Sequence, residues 1–366
     1  FRYDHVGSFL RPEKLKEARR KFDDGDIGYE ELKKVEDEAI TELVGKLKEI
    51  GYHVITDGEF RRATWHLDFM WGFEGVTHEK DGGGIQFNGE MADLEATYLV
   101  GKVKAKVHPF VEYFKFLKQF EDEQTVAKYT IPAPAQMYQQ MIVPQNIEQT
   151  RKFYATDEEL IEDIGKAYQD VIKQFYAAGC RNLQLDDCTW GAIVGDAAKQ
   201  RYQSLGVDIE EVKARLLKVN NLALENRPED MVITSHICRG NYHSTFFTSG
   251  PYDSVADYVF AQEHVDALLL EYDDERSGGF APLAKVSPDK KVVLGLITTK
   301  KPELEDKDKV IARIHEAAKY IPLERLCLSP QCGFASCEIG NKLTEEQQWA
   351  CLLYTSPSPR DRQKSR

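Results

Sequence analysis

Eight short apolar segments rich in β-branched residues recur along the chain, separated by longer stretches with helical periodicity. The predicted strands are Tyr3–Gly7, His53–Thr56, Lys128–Ile131, Asn182–Leu185, Met231–Ser235, Ala267–Glu271, Val292–Ile297 and Arg325–Ser329. Several are continuous hydrophobic runs, as strands of a parallel sheet buried on both faces require. The helical stretches between them include Glu30–Ile50, Asp157–Ala178, Asp208–Glu225, Ser254–His264 and Lys307–Tyr320. This alternation predicts an α/β fold, specifically a (β/α)8 TIM barrel.

One connection in this pattern is much longer than the others. The 366 residues suit one large barrel, which we expect to occupy residues 1–353. The stretch from Arg61 to Ala127 predicts an insertion of about residues 61–127 after the second strand. It contains Gly82-Gly83-Gly84 and an alternating Lys-rich stretch, Tyr98–Val107, that we expect to form a hairpin. The insertion is predicted to cover one mouth of the barrel.

The end of the chain has a different character. A capping box, Thr344–Gln347, begins a last helix that we expect to continue to Leu353. Residues 354–366 contain two prolines and then a basic stretch without apolar residues. We interpret 354–366 as a non-native read-through or a disordered tail, and exclude it from the predicted fold.

Charge and cysteine content restrict the function classes. The net charge of −13 argues against nonspecific nucleic-acid binding, which needs a basic face. No apolar run approaches the roughly 20 residues of a membrane span. The seven cysteines are odd in number and lack the dense spacing of a disulfide scaffold. Their pattern favours the reducing cytoplasm, where cysteines are free, buried or bound to metal.

Polar, acidic and metal-binding residues follow the predicted strands. In chain order these are Ser8, Asp57, Glu59, Pro132, Asp186, Asp187, His236, Cys238, Glu271, Thr298, Thr299 and Cys332. Barrel enzymes place their chemistry at the carboxyl ends of the strands. We therefore expect these residues to share one face of the barrel.

Four of these residues have the chemistry of a zinc site. His236 and Cys238 leave one strand two residues apart, so their side chains project to the same side. Glu271 ends the next strand, and Cys332 follows the eighth. Zinc accepts imidazole nitrogen, thiolate and carboxylate oxygen in a tetrahedral array. Because the four donors come from three separate strand ends, the sequence predicts a catalytic Zn²⁺ site rather than a structural one.

Each residue by itself has a simpler interpretation. A buried cysteine is often only a small apolar side chain, and Glu271 alone could be a salt-bridged barrel acid. Cys337 is a weaker rival ligand beyond the eighth strand.

With two thiolates and a carboxylate the site would carry negative charge, which disfavours hydrolysis by a metal-bound water. It favours activation of an incoming thiol, since a coordinated thiol is deprotonated.

The motifs as a set resemble the catalytic barrel of the cobalamin-independent methionine synthase family, in particular its short single-barrel members. They are Asp4-His5-Val6-Gly7-Ser8-Phe9, Thr56-Asp57-Gly58-Glu59, Gln184-Leu185-Asp186-Asp187, His236-Ile237-Cys238, Glu271 and Pro330-Gln331-Cys332-Gly333-Phe334. The resemblance implies methyl transfer from 5-methyltetrahydrofolate, mono- or polyglutamyl, to the zinc-bound thiolate of homocysteine, forming methionine. It implies that the zinc ligands are His236, Cys238, Glu271 and Cys332.

The resemblance also implies that Val6, Ser8, Glu59 and Asp186 hold homocysteine, and that the catalytic residues are His236, Cys238, Cys332 and Asp186. Carboxylates at Glu59 and Asp186 would pair with the substrate ammonium. The Ser8 hydroxyl and backbone N–H groups near Gly7 would meet its carboxylate. The two acids could instead be structural strand-end residues.

The sequence departs from the long family members after the seventh strand. There they carry a histidine thought to protonate the folate leaving group, whereas this chain reads Thr298-Thr299-Lys300. Lys300 or a water could replace it. The alternatives therefore include a zinc thiol methyltransferase that uses a methylcorrinoid or another donor, and a non-catalytic zinc- or thiol-binding sensor.

The donor site is less defined by the sequence. Pro132–Met137 and the Trp190 loop could form walls for a flat ring. Lys102, Lys104 and Lys106 could meet a glutamyl tail, although an exposed hairpin face is the favoured interpretation of these lysines.

Overall fold

The computed structural model describes residues 2–80 and 83–356. Within these ranges the strands are β1 (Arg2–Tyr3), β2 (Val54–Ile55), β3 (Glu74–Glu79), β4 (Gly84–Gln86), β5 (Met91–Asp93), β6 (Ala96–Lys104), β7 (Val126–Ala127), β8 (Tyr129–Pro132), β9 (Asn182–Asp186), β10 (Val232–Ile237), β11 (Ala267–Glu271), β12 (Lys291–Ile297) and β13 (Leu326–Pro330).

The helices of the same residues are α1 (Glu13–Asp23), α2 (Tyr29–Glu49), α3 (Leu67–Met70), α4 (Pro109–Lys118), α5 (Pro134–Ile142), α6 (Ile147–Thr150), α7 (Asp157–Ala177), α8 (Cys188–Ala192), α9 (Gly195–Ser204), α10 (Ile209–Ala223), α11 (Ala256–Gln262), α12 (Lys307–Ala317) and α13 (Glu345–Thr355). Short 3-10 helices lie at Tyr252–Ser254, Glu275–Ser277, Ala281–Lys285 and Leu323–Arg325.

A parallel sheet of seven strands forms the centre of the protein, in the order β1-β13-β12-β11-β10-β9-β8. The short strand β2 pairs in parallel with β7, and a parallel bridge joins Ser8 to Gly58. Each of the eight predicted strands overlaps an observed one. The predicted α/β fold with a mainly parallel central sheet is therefore confirmed.

The first strand is shorter than predicted, because β1 ends at Tyr3 rather than at Gly7. Asp4 makes the last ladder bond, from its N–H to the Leu328 oxygen at 2.9 Å. The N–H of His5 then turns to the Asp4 carboxylate at 2.7 Å, and Gly7 adopts a φ of 129°. Glycine is the residue that takes this conformation without a steric penalty, so the chain can bend toward the Ser8–Gly58 bridge.

The predicted amphipathic helices lie where their periodicity placed them. α7 buries Leu160, Ile164, Tyr168 and Val171 along one face, at spacings of four and three residues. The side chain of Thr156 caps its first turn by accepting a hydrogen bond from the N–H of Glu159. The observed end of α7 is one residue from the predicted one.

The segment between β2 and β7 contains two antiparallel pairs, β3 with β6 and β4 with β5. The Lys-rich stretch, expected to form a hairpin, lies largely in one strand, β6, which pairs with β3. β6 carries Lys102 and Lys104, and Lys106 follows it, all three exposed. Gly82 of the predicted triple glycine lies outside the described residues. The β4–β5 hairpin reaches the loop after β10, where the Asn88 N–H donates to the Phe246 oxygen at 3.0 Å.

The last helix, α13, begins with the predicted capping box between Thr344 and Gln347. It continues to Thr355 and buries Cys351 and Leu352. The Gln348 side chain accepts a hydrogen bond from the Leu10 N–H at 2.7 Å, which ties α13 to the start of the chain. The predicted tail, 354–366, begins too early, because Tyr354 and Thr355 belong to α13. Residues 357–366 lie outside the described residues. In the part that is described, no helix combines the length and apolar character needed to cross a membrane.

Candidate metal and substrate site

Three of the four predicted zinc ligands meet at the carboxyl ends of the central strands. The donor atoms of His236, Cys238 and Cys332 all lie within 4.8 Å of one another, and all three side chains are buried. His236 is the penultimate residue of β10, Cys238 follows that strand, and Cys332 follows β13. The sheet therefore assembles three donors from separate parts of the sequence, as the strand-end pattern predicted.

The chemistry of this cluster fits a thiophilic metal. Both ring nitrogens of His236 are buried without a hydrogen-bond partner among the described residues. A buried imidazole without partners is costly, whereas coordination of a metal by one nitrogen would satisfy it. Two cysteines and one histidine are also a common zinc donor set.

Cys238 is the most acidic thiol of the site. Its sulfur accepts hydrogen bonds from the thiols of Cys188 and Cys332, and these hold the pKa of Cys238 well below its usual range. The hydrogen bond from Cys188 has the larger effect. The same hydrogen bonds raise the pKa values of Cys188 and Cys332. The lowered pKa favours the thiolate form of Cys238, which is the form that binds metal.

Cys188 also lines the cavity beside this cluster, although the sequence analysis did not name it. Its Sγ lies 3.5 Å from Sγ of Cys238. In the register of the two parallel strands Asp186 faces His236, so the residues two positions further on, Cys188 and Cys238, are also neighbours. The equal spacing from a strand-end acid and a strand-end histidine is the sequence signal that could have identified it.

Glu271, the predicted fourth ligand, ends β11 and is fully buried. Its carboxylate accepts hydrogen bonds from the Arg239 N–H and the Gln331 amide at 3.0 Å each, and pairs with Arg276 at 3.0 Å. Burial alone would raise its pKa, but the positive charges of Lys300, Arg239 and Arg276 outweigh burial and lower it. Glu271 is not in the 4.8 Å group of donors, so its role as a ligand stays a prediction.

Glu59 and Asp186 provide the two buried acids beside this cluster. Glu59 has a left-handed φ of 61°, stabilised by a 2.9 Å hydrogen bond from its N–H to Asp57. Such strained residues are frequent at functional sites. Thr130 donates to its carboxylate at 2.8 Å, and burial raises its pKa. Burial, and then the charge of Glu59, raise the pKa of Asp186 to about 7.

Val6 and Ser8 lie on the loop between β1 and α1, beside the two acids. The Val6 backbone oxygen accepts a hydrogen bond from the Gln184 amide at 2.7 Å. Ser8 is close to the loop after β13, where the Phe334 N–H donates to the Ser8 oxygen at 2.9 Å. A methyl group added to Gly333 would lie 1.8 Å from the Ser8 Oγ, so only glycine fits there.

One cavity of about 300 Å³ connects these groups. The predicted residues that line it are Val6, Ser8, Glu59, Asp186, His236, Cys238 and Cys332. Glu271 is not in the lining. Cys337, the rival ligand, does line the cavity but stands outside the 4.8 Å donor group, and burial raises its pKa to about 12.

The β4–β5 hairpin supplies part of the cavity wall through Ile85, Phe87, Ala92 and Leu94. The Phe87 ring lies 5.2 Å from Tyr242 and 5.8 Å from Phe247, both after β10. Glu90, on the turn, forms ion pairs with His243 and Lys342. The prediction that the insertion covers one mouth of the barrel did not identify these residues, because their packing depends on tertiary contacts.

The predicted donor-site residues are only partly in this cavity. Gln136 lines it, and so do Thr189, Ala192 and Ile193 of the Trp190 loop. The Trp190 ring itself is fully buried and is not in the lining, so this loop contributes to the wall through the neighbours of Trp190. Lys300 is buried, its Nζ has no hydrogen-bond partner among the described residues, and it stands outside the lining.

Comparison with known proteins adds an independent observation. The family described as "Cobalamin-independent synthase, Catalytic domain" matches residues 3–345. The uncharacterized protein YxjH of Bacillus subtilis is 46% identical over 355 residues, covering 97% of this chain and 92% of that protein. A methionine synthase of Saccharolobus solfataricus is 24% identical, over 90% of this chain and 86% of that protein.

Solved structures agree with these matches. A putative vitamin-B12 independent methionine synthase from Listeria monocytogenes is 37% identical, has a TM-score of 0.76, and covers 97% of this chain and 95% of its own. A B12-independent methionine synthase from a Shewanella species, solved in complex with selenomethionine, superimposes with a TM-score of 0.72 at 18% identity, over 99% and 98% of the two chains. The second likeness concerns the fold alone.

Proposed function

The chain belongs to the cobalamin-independent synthase catalytic-domain family, and on that premise we propose that it methylates the thiol of homocysteine, forming methionine. The proposed methyl donor is 5-methyltetrahydrofolate, and the proposed metal is zinc. The reaction forms a bond between the substrate sulfur and the methyl carbon, and it breaks the bond between that carbon and the donor.

One observation carries the proposal: the His236, Cys238 and Cys332 cluster opens into the same cavity as two buried acids. A metal site that only stabilises the fold has no need of an adjoining amino acid pocket. A cavity that presents thiophilic donors at one point and carboxylates at another suits a substrate with a thiol and an ammonium group. Homocysteine has both.

We propose that Glu59 and Asp186 bind the substrate ammonium through their carboxylates. Charge-assisted hydrogen bonds of this kind are about twice as strong as neutral ones. The Ser8 hydroxyl, with backbone N–H groups near Gly7, would receive the substrate carboxylate, and Val6 would contact the carbon chain. These roles orient the thiol toward the metal donors and leave the rest of the cavity for the methyl donor.

We propose His236, Cys238, Cys332 and Glu271 as the zinc ligands. Zinc held there would supply a positive charge that keeps the substrate thiol deprotonated at neutral pH. Arg276 and Gln331 would fix the orientation of the Glu271 carboxylate, because both bond to it directly. Outer partners of this kind tune both the affinity for metal and the activity.

We further propose that the central strands close as an eight-stranded barrel with an insertion at about residues 61–127. The β2–β7 pairing and the Ser8–Gly58 bridge support closure between β1 and β8, the two edge strands of the seven-stranded sheet. The β4–β5 hairpin of the insertion lies at the carboxyl ends of the strands, where it adds to the cavity wall. A cytoplasmic location, in which the cysteines stay reduced, is part of the same proposal.

A donor assay tests the reaction. The full chain is incubated with homocysteine and, separately, with monoglutamyl methyltetrahydrofolate, triglutamyl methyltetrahydrofolate or methylcobalamin, and methionine is measured by mass spectrometry. Methionine from a folate donor is the expected result. If methylcobalamin were the only donor to yield methionine, the folate assignment would be overturned. If none of the three donors yielded methionine, the methyltransferase proposal would be overturned.

Metal removal tests the role of zinc in the same assay. Treatment with a chelator should abolish methionine formation, and added zinc should restore it. Activity that persists in protein shown by elemental analysis to contain no metal would contradict the proposed site. A Glu59→Gln variant should raise the KM for homocysteine, since it removes a charge from the ammonium site without changing the shape of the side chain.

A further inference from the structure

We propose that Cys188 and Cys238 form a peroxide-sensitive dithiol, in which oxidation joins the two sulfurs and removes Cys238 from the metal-ligating group. Cys188 has no place in the proposed methyl transfer, yet its sulfur lies 3.5 Å from the sulfur of a metal ligand. A disulfide requires an S–S distance of about 2.05 Å, so the sulfurs must approach by roughly 1.5 Å.

The backbone holds the two residues together. Cys188 and Cys238 each lie two residues beyond a directly paired position of the neighbouring parallel strands β9 and β10, where Asp186 faces His236. The Asp187 N–H donates to the His236 oxygen at 2.8 Å, which extends the pairing by one residue. Adjacent strands lie roughly 4.8 Å apart, within the range of Cα separations of about 4.4–6.8 Å that disulfides span.

Helix α8 adds a second constraint. Asp187 caps this helix by accepting the Thr189 N–H at 3.0 Å, which fixes Cys188 at its first position. A methyl group added to Gly191 would lie 1.7 Å from the Cys238 backbone oxygen, so the helix is packed directly against the residue that carries the partner thiol. The Cys188–Cys238 contact is therefore set by the backbone rather than by a chance rotamer.

Cys332 is a less suitable partner for Cys238, although its sulfur belongs to the donor cluster. It follows β13, and β11 and β12 stand between that strand and β10. The strand before Cys332 is not a direct neighbour of β10, so no shared strand pairing holds Cys332 beside Cys238 as it holds Cys188. Because the two sulfurs still lie within 4.8 Å of each other, a Cys238–Cys332 disulfide is the competing product that peptide mapping must distinguish.

The oxidation balances with hydrogen peroxide as the oxidant. The Cys238 sulfur attacks one peroxide oxygen, an S–O bond forms, the O–O bond breaks, and water leaves after protonation. The Cys188 sulfur then attacks the sulfenic sulfur, an S–S bond forms, the S–O bond breaks, and a second water leaves. Two thiols and one peroxide thus give one disulfide and two waters. Both cysteines line the 300 Å³ cavity, which admits so small an oxidant.

The consequence concerns the metal, since loss of Cys238 leaves only His236 and Cys332 of the clustered donors. Two donors hold zinc far more weakly than three or four, so oxidation should release it. Reduction of the disulfide by a dithiol reagent should restore the site. Formation of the disulfide does not depend on methyl transfer, so the two proposals can fail separately.

The experiment compares the zinc-loaded wild-type chain with Cys188→Ser and Cys337→Ser variants. Cys337 is the matched control, because it also lines the cavity but follows β13 with Cys332. After treatment with hydrogen peroxide, free thiols are counted, released zinc is measured with a chromogenic chelator, and non-reduced peptides are mapped. Circular dichroism and zinc content before oxidation establish that each variant is folded and loaded, and Cys188→Ala replaces Cys188→Ser if it is not.

Wild type and Cys337→Ser should yield a peptide that links Cys188 to Cys238, lose two thiols through that bond, and release zinc. Dithiothreitol should reverse all three changes. Cys188→Ser keeps a hydrogen-bond donor beside Cys238, so it should load with zinc, yet it should give no linked peptide and no reversible release. A Cys238–Cys332 link, irreversible oxidation of Cys238 without a link, or resistance of wild type to peroxide would overturn the proposal.

Discussion

The side-chain amide of Gln184 donates a hydrogen bond to Oδ1 of Asp186 at 2.8 Å, and the same nitrogen reaches the Val6 backbone oxygen at 2.7 Å. One amide carries two N–H groups, so both donors are used. Gln184 is fully buried on β9, two residues before Asp186 and on the same side of the strand. It therefore fixes two proposed homocysteine contacts at once.

Replacement of Gln184 by methionine should weaken homocysteine binding. Methionine has a similar volume but no N–H, so the carboxylate of Asp186 and the loop at Val6 lose their common support. A hydrogen bond to a charged group contributes about 1.5–3 kcal/mol, which corresponds to a KM for homocysteine raised roughly 10- to 100-fold. Steady-state kinetics at saturating methyl donor measure this change.

The control is the same substitution at Gln169, whose amide bonds to the Leu222 oxygen on the outer helices. Gln169→Met should leave the KM unchanged. Equal effects of the two substitutions, or an unchanged KM in a folded Gln184→Met variant, would show that this amide has no positioning role.

The affinity for methionine should depend on pH through Asp186. Its pKa is raised to about 7, so the carboxylate that we propose binds the ligand ammonium is protonated below that pH. Methionine has no thiol to titrate, and its ammonium remains charged between pH 5.5 and 7.5. Calorimetric titration in about that range should show affinity that rises by up to tenfold per pH unit and levels off above pH 7. Asp186→Asn should bind weakly with a flat profile.

The raised pKa of Asp186 also predicts how the free energy of unfolding changes with pH. The folded chain holds a proton on Asp186 that the unfolded chain, with an ordinary carboxyl pKa of about 3.9, has released. The contribution of this residue to the free energy of unfolding therefore falls as pH rises from about 4 to about 7, and then stays constant. Relative to Asp186→Asn, wild type should lose stability across this window in denaturant titrations. If the free energies of unfolding of wild type and Asp186→Asn changed with pH in parallel, the raised pKa of Asp186 would be contradicted.

The sequence predicted the central strands and the three clustered metal donors because both follow from short-range rules. Buried parallel strands need continuous apolar runs, and the carboxyl ends of such strands meet at one face. His236 and Cys238 share a side of one strand, so their proximity is local, and Cys332 joins them through the strand order.

Other parts of the site depend on contacts that no local pattern records. Cys188 belongs to a helix that approaches Cys238 only because residue 191 is glycine. Glu271 has the predicted strand-end position, yet its carboxylate direction is set by Arg276 and Gln331. The β4–β5 hairpin reaches the cavity through side-chain packing, and its residues have no alternation strong enough to predict it.

Cys238→Ser should abolish both zinc binding and methyl transfer. A serine hydroxyl is not ionised at neutral pH, so the cluster loses its thiolate, and we expect affinity for zinc to fall by more than about 100-fold, above the range seen for outer partners. Zinc content is measured by elemental analysis after dialysis against a weak chelator. Cys180→Ser is the control, because Cys180 is buried at the opposite end of β9. Zinc retained by Cys238→Ser would exclude Cys238 as a ligand.

Gly333→Ala tests the placement of Ser8 without touching its side chain. The added methyl group would lie 1.8 Å from the Ser8 Oγ and 3.1 Å from its backbone oxygen, so the hydroxyl must leave its position. Crowding of this kind typically destabilises by about 1–3 kcal/mol. Loss of the proposed hydrogen bond to the ligand carboxylate should weaken methionine binding roughly tenfold or more, as calorimetry would show.

Gly279→Ala is the control, since nothing lies within 4 Å of its added methyl group. Ser8→Ala should weaken binding to the same extent as Gly333→Ala, but without the loss of stability. Undiminished affinity in both variants would remove Ser8 from the substrate site.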